Sequence, residues 1–363
     1  MEYSGPSDEK DLIGRFPREK CKATDAGNHA VEVVTGQHSN FPRETDLSSL
    51  SHQKALMEYW VLAYYLFTPI EDPAKEVLRH KEYFSSRDIT GRIYLSEEGI
   101  NGQMSAPASV AEDYMEWLRS DERFAKISFK VHRHHEHCFP RATVKVRSQL
   151  VAMDRRVDLK NTGKKVSPAA WKEMLEKKDK RAVVLDVRNT YESEIGHFEG
   201  AVRPTLEQFR HFPAYVQEMK EKWDPKTTQV MMYCTGGIRC EVYSALLKEE
   251  GFEEVVQLDG GIIGYGLEEG SHHWKGNLFV FDDRLSVPLG ENGSVISHCR
   301  HCSAPSDLYF NCANMDCNEL FLCCLACAEA QKGCCSATCQ EAPRLRPYEK
   351  TERPKPFRRW PKT

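Results

Sequence analysis

Between Val230 and Lys248 the chain passes from a short apolar run through Cys234-Thr-Gly-Gly-Ile-Arg-Cys240 into a segment with helical periodicity, Glu241 to Lys248. No other stretch limits the fold as tightly. Val230-Met-Met-Tyr233 is strand-like, and Val242, Ala245 and Leu246 fall on one stripe of the helix that follows. A cysteine at a strand end, with glycines closing into a helix N-terminus, sits in an anion cradle. Successive amides point inward, and the positive end of the helix dipole favours negative charge on the sulfur. The same field lowers a thiol pKa, so Cys234 is expected to be a reactive thiolate or to carry a persulfide. Gly236, Gly237 and Arg239 together argue against a merely packed cysteine.

Neighbouring motifs extend the reading. Arg181-Ala-Val-Val-Leu-Asp186-Val-Arg188 is an apolar strand ending in an acid and a base, and it leads into Tyr191-Glu192-Ser-Glu-Ile-Gly196-His197-Phe-Glu-Gly200-Ala201. Val255-Val-Gln-Leu258 is a further strand running into Asp259-Gly260-Gly261. In this order the motifs resemble the rhodanese family over about residues 165–280. The resemblance implies an α/β domain with a parallel sheet, Cys234 as the persulfide-forming cysteine, and a cradle from Thr235, Gly236, Gly237 and Ile238 to Cys240. Asp186 and Arg188 are expected to order the loop as a hydrogen-bonded pair. Cysteine-dependent phosphatases have a similar but longer loop. Four residues between Cys234 and Arg239 fit a sulfane sulfur better than a tetrahedral phosphoryl group.

A chain of 363 residues suits two or three domains. Fourteen cysteines would suit a secreted protein, but ten of them crowd between Cys299 and Cys339. The first residues are polar and charged, without the apolar core of a secretory leader, and their acids disfavour a transit peptide. A reducing, cytoplasmic setting with a metal-bound cysteine module is expected. An organellar form stays open should a leader precede Met1. Cys299-Arg-His-Cys302 and Cys324-Leu-Ala-Cys327 are Cys-x-x-Cys knuckles enclosing Cys312 and Cys317, with Cys335 and Cys339 beyond. Zinc binds thiolates in tetrahedral fours, so about two structural zinc ions are expected. Cys299, Cys302, Cys324 and Cys327 would hold one, and Cys312, Cys317, Cys335 and Cys339 the other. Cys323 and Cys334 are spare, and either could exchange with its neighbour.

Upstream, residues 1–57 lack periodicity and are expected to be a disordered or linker segment. From there to about residue 155 the pattern is β-α-β-β-α-β: Tyr59–Phe67, a helix from Pro73, Gly91–Leu95 paired with Ile100–Ser105, a helix from Pro107 to Leu118, and Ile127–Val131. That order predicts a ferredoxin-like, acylphosphatase-type domain. His132-Arg-His-His-Glu-His137 is dense in imidazole, but neighbours on a strand face opposite ways, which disfavours a metal site. Arg133, Arg141, Lys145 and Arg147 are more in keeping with a phosphate-facing surface, and residues 344–363 form a basic, proline-rich arm. No apolar stretch is long enough to span a membrane.

Taken together, Gly91-Arg-Ile-Tyr-Leu-Ser-Glu-Glu-Gly-Ile-Asn-Gly102, the Tyr233 to Cys240 loop, Trp274-Lys-Gly-Asn-Leu-Phe and the cysteine cluster of residues 295–340 resemble the oxygen-dependent tRNA uridine 5-hydroxylases, including plant rhodanese-like members. The resemblance implies 5-hydroxylation of the wobble uridine, tRNA as partner and molecular oxygen as co-substrate. No flavin or haem motif is seen. The alternative is a sulfurtransferase that takes sulfane sulfur from a small donor such as thiosulfate. In the hydroxylase, Cys234 would add to the uridine or carry oxygen on sulfur. Cys240 would resolve an oxidised Cys234 or else pack inertly.

Overall fold

The structure, a computed structural model, describes residues 58–350 apart from positions 154, 207, 291 and 292. Residues 1–57 and 351–363, and with them most of the basic arm, lie outside the described residues.

The first domain is built from β1 (Tyr59–Phe67), α1 (Pro73–Ser85), β2 (Thr90–Ser96), β3 (Gly99–Pro107), α2 (Ala108–Arg119), β4 (Ser128–His134) and β5 (Ala142–Val146). The strand order is β4-β1-β3-β2-β5. Asp72 caps α1 through the Lys75 amide at 2.9 Å, and Pro73 occupies its first turn. Because side chains alternate along a strand, Leu62, Tyr64, Ile93, Leu95, Ile100 and Met104 point together into a core with Val77, Tyr114 and Leu118 of the helices. The helices cover that face alone. The other face carries Ala63, Tyr65, Arg92, Tyr94, Asn101, Gln103 and Lys130, all half-buried. The fifth strand, β5, pairs parallel to β2 and was not expected, since Ala142–Val146 sits among basic residues with one inward apolar side chain, Val144.

The second domain continues with β6 (Lys164–Val166), α3 (Pro168–Lys177), β7 (Ala182–Asp186), α4 (Thr190–Ile195), β8 (Gly196–Phe198), α5 (Phe212–Lys222), β9 (Gln229–Tyr233), α6 (Ile238–Glu249), β10 (Glu254–Leu258), α7 (Gly261–Glu269), β11 (Trp274–Phe279) and β12 (Ser286–Pro288). Four strands form a parallel sheet in the order β6-β10-β9-β7. Leu185, Val230, Met232 and Val255 pack on one side of it, and Val184, Met231, Tyr233 and Val256 on the other. Burial on both faces explains why these strands read as continuous apolar runs. β8, β11 and β12 make a small antiparallel sheet beside it.

The third module holds β13 (Tyr309–Asn311), β14 (Leu320–Leu322), α8 (Leu325–Ala330) and α9 (Ala337–Gln340). Its core is largely sulfur, with Phe310 and Phe321 between the cysteines. Residues 344–350 are not an extended arm. Arg346 donates to the Cys312 carbonyl at 2.7 Å, its amide bonds Ala313 O at 2.8 Å, and Arg344 pairs with Asp316 at 2.6 Å.

Candidate active site

The central strand β9 ends at Tyr233, and Cys234 follows with no exposed surface. Gly237, at φ +102°, turns the chain into α6, and its amide donates to the Cys234 sulfur at 3.1 Å. From below, α7 ties the loop down: the Ile262 and Ile263 amides bond the carbonyls of Cys234 and Thr235, each at 3.0 Å. Gly261 permits this approach, because a Cβ there would stand 2.6 Å from the Cys234 carbonyl oxygen. The glycine pair after β10 thus positions the cysteine loop.

Burial alone would raise the Cys234 thiol. Four contacts outweigh it and bring the pKa down to about 5: a hydrogen bond from the Cys240 thiol, the Arg239 charge, and the amides of Cys240 and Gly237. Cys240 moves the opposite way, pushed well above its ordinary value by burial and by the neighbouring sulfur. The pair therefore divides its roles: Cys234 is the anion and Cys240 the donor.

Arg239 is itself held by Glu192, at 2.6 and 2.8 Å, with both side chains buried. Glu192 also accepts from Thr235 Oγ1 at 3.0 Å and from the Asn189 amide at 3.0 Å, where it closes the capping box of α4. Sequence reasoning gave Glu192 no role; its place in the motif beside Asp186 and Arg188 was the available signal. Those two residues form a buried bidentate pair, 2.6 and 2.9 Å, and Arg188 also donates to Gly196 O at 2.6 Å and Glu192 O at 3.3 Å. They act one step away from the loop, by pinning the helix that carries Glu192.

The open face of the first sheet meets this loop. Tyr65 donates to Glu241 at 3.2 Å, with its hydroxyl above Gly237, and Lys130 donates to Gly236 O at 3.0 Å. Burial lowers the Lys130 pKa, against the pull of Cys234 and Asp259. Arg92 reaches Phe281 O at 3.1 Å. Between sheet and loop lies a cavity of about 260 Å³, walled by Tyr65, Tyr94, Asn101, Gln103 and Lys130 on one side and Thr235, Gly236, Ile238 and Arg239 on the other. A wider one of about 690 Å³ adjoins it along Gln103, Lys130 and Thr235.

The four basic positions singled out in the sequence separate. Lys145 and Arg147 belong to the edge beside this cavity, with the Arg147 guanidinium 4.8 Å above the Tyr94 ring. Arg141 is exposed just before β5. Arg133 alternates onto the helix-bearing face of β4 and pairs with Glu58 at 3.2 Å.

In the third module, Cys299, Cys302, Cys324 and Cys327 converge, as do Cys312, Cys317, Cys335 and Cys339, with the sulfurs of each set within 4.8 Å of one another. Either set could hold a metal ion. Cys323 and Cys334 stand outside both. No helix among the described residues is long and apolar enough to cross a membrane.

The cysteine cradle over a parallel sheet defines a rhodanese-type protein. A rhodanese-like domain model matches residues 167–268, a model described as rhodanase C-terminal matches 275–340, and the UPF0176 acylphosphatase like domain matches 59–150. The tRNA uridine(34) hydroxylase of Protochlamydia amoebophila (strain UWE25) is 56% identical over 302 residues, covering 83% of this chain and 94% of that protein. Its namesake from Chlamydia felis (strain Fe/C-56) is 54% identical over 304 residues, with 83% and 93% covered. That from Chlamydia muridarum (strain MoPn / Nigg) is 55% identical over 304 residues, with 83% and 92% covered. The chain belongs to the tRNA uridine(34) hydroxylase family.

Proposed function

We propose that the protein hydroxylates C5 of the wobble uridine of tRNA, with Cys234 as the reacting thiolate and molecular oxygen as the oxygen source. The observation that carries this reading is a thiol held down at about 5 beside a cavity shared with the acylphosphatase-like sheet. A plain sulfur carrier has no evident use for that second wall. Uridine C5 is weakly nucleophilic. Thiolate addition at C6 turns it into an enolate carbon that can meet an electrophilic oxygen. Arg239 and the amides of Thr235 to Cys240 stabilise the charge that develops at the loop. Overall, the uridine C5–H, one O2 and two thiols give 5-hydroxyuridine, one water and one disulfide. Cys234 and Cys240 are the thiols in this scheme, and an external thiol restores them by exchange. Because the Cys234 sulfur is wholly buried, reaction requires the Tyr65 and Lys130 contacts over the loop to part.

We assign zinc to both cysteine tetrads. A tetrahedron with zinc–sulfur bonds of about 2.3 Å has edges of about 3.8 Å. The Cys302–Cys324, Cys317–Cys335 and Cys335–Cys339 sulfurs are each 3.7 Å apart. Four thiolates leave no open position, so the role is structural. Two sets of unpaired cysteines and a low-pKa thiol support a reading in which the protein works in a reducing compartment, the cytoplasm.

Purified protein supplied with unmodified tRNA under isotopically heavy O2 tests the reading. Heavy oxygen in 5-hydroxyuridine from wild type, and none from Cys234→Ser, is expected. Rapid thiosulfate turnover with no nucleoside product would leave a sulfurtransferase instead.

A further inference from the structure

We infer that the uncovered face of the first sheet is a seat for one extruded uracil of a single-stranded RNA loop, read by Asn101 and Gln103 opposite the cysteine loop. The inference rests on the proposed hydroxylase reading and names how that site recognises its base. Strand register carries it. Across β1, β3, β2 and β5, Tyr65 pairs with Asn101, Asn101 with Tyr94, and Tyr94 with Lys145. The next row is Lys130, Ala63, Gln103 and Arg92. Rows on one face lie about 6.7 Å apart along a strand, and strands about 4.8 Å apart across it. Asn101 is therefore flanked by a tyrosine on either side, and Ala63 leaves a hollow between Lys130 and Gln103.

Three properties of this face match a pyrimidine in single-stranded RNA. The cavity, about 260 Å³, falls just below the roughly 300–1,000 Å³ of pockets for drug-sized ligands, which suits a single base. The side-chain amides of Asn101 and Gln103 line it, and neither has a hydrogen-bond partner among the described residues. Each offers one donor and one acceptor, the complement of the N3–H and a carbonyl of uracil. At the rim, Lys145 on the edge strand and Arg147 just past its end are exposed cations, placed for phosphates in a chain whose net charge is −4. Tyrosine faces beside cations along one groove are the general means of holding unpaired nucleotides. The loop opposite then presents Thr235, Gly236 and Arg239 to the base.

The test uses the full chain and a stem-loop RNA with 4-thiouridine at the target loop position. Photo-crosslinks should map to the β1, β2 or β3 peptides bearing Tyr65, Tyr94, Asn101 and Gln103. Crosslinks confined to the wider cavity around His132 and Arg284, or to the helix-bearing face, would overturn the seat. In parallel, Asn101→Asp and Gln103→Glu replace a donor by an acceptor, which uracil carbonyls repel and to which the cytosine amino group can donate. Either should lower the preference for an RNA with uridine over cytidine at that position by about 10- to 100-fold. An unchanged preference in both variants, with the melting temperature preserved, would also overturn it. Crosslinking at the seat by a wild-type protein that forms no 5-hydroxyuridine would sink the hydroxylase reading and leave the seat. Hydroxylation that ignores both substitutions would do the reverse.

Discussion

Replacing Glu192 by glutamine should unfasten Arg239, and the size of the effect follows from the bonds. Oε1 accepts from Thr235 Oγ1 at 3.0 Å and Arg239 Nη2 at 2.8 Å; Oε2 accepts from the Asn189 amide at 3.0 Å and Arg239 Nη1 at 2.6 Å. A glutamine amide has one oxygen, so in either orientation two of these donors face an NH2 group. Arginine keeps its charge, and α6 keeps the guanidinium inside the protein. Removing one partner of a buried pair costs about 3–5 kcal/mol, here toward the lower end because the Cys234 thiolate still faces Arg239. We expect the rhodanese domain of Glu192→Gln to lose that much. Native-state hydrogen exchange resolves it by region: amides of β7 and β9 should lose about 3–5 kcal/mol of protection, and those of β1 and β3 should keep theirs. Exchange from β9 within about 1 kcal/mol of wild type would refute the argument that Glu192 anchors the loop.

Alkylation of Cys234, followed by peptide mapping against pH, should show a midpoint of about 5. The thiolate is present above that value and lost as pH falls through it; Arg239→Gln should move the midpoint up, and a wild-type midpoint near 8.5 would contradict the cradle. Gly237→Ala places a Cβ 2.9 Å from the Tyr65 hydroxyl at φ +102°. Thermal unfolding should show a loss of about 1–3 kcal/mol, part of which Tyr65→Phe recovers; no loss would contradict the backbone argument. Metal analysis and X-ray absorption should find about two zinc ions bound through sulfur alone, and an unchanged melting curve after complete metal removal would contradict a structural role. The salt slope of tRNA affinity should flatten by about 0.7 for each of Lys145→Glu and Arg147→Glu, and by less for Arg133→Glu, which lies on the other face.

What the sequence disclosed follows physical range. Tyr59–Phe67, the Gly91–Ser105 hairpin and the strand before Cys234 were legible because each is a local apolar pattern with its own turn. The tetrads were legible because the two Cys-x-x-Cys knuckles make one set of four, and the pairs Cys312/Cys317 and Cys335/Cys339 make the other. The short strand β5 escaped because, beyond Val144, its residues are mainly exposed or charged. A single apolar stripe was expected on α6, yet every residue from Arg239 to Leu247 is buried. Segment 157–163 packs over the helix, with the Gly163 amide bonding Ser244 at 2.9 Å, so its outer face is covered too. Tyr65 and Lys130 could not be anticipated at the site. Their partners are 176 and 106 residues away, and no local spacing encodes a contact between domains. Sequence pattern located the cysteine; only the fold supplied its opposite wall.

The most direct test is mass spectrometry of tRNA nucleosides from cells lacking the protein, complemented with wild type or with Cys234→Ser. We expect 5-hydroxyuridine and the nucleosides derived from it to disappear, wild type to restore them, and Cys234→Ser to leave them absent. Unchanged levels in the deleted cells, or full restoration by Cys234→Ser, would contradict the hydroxylase reading.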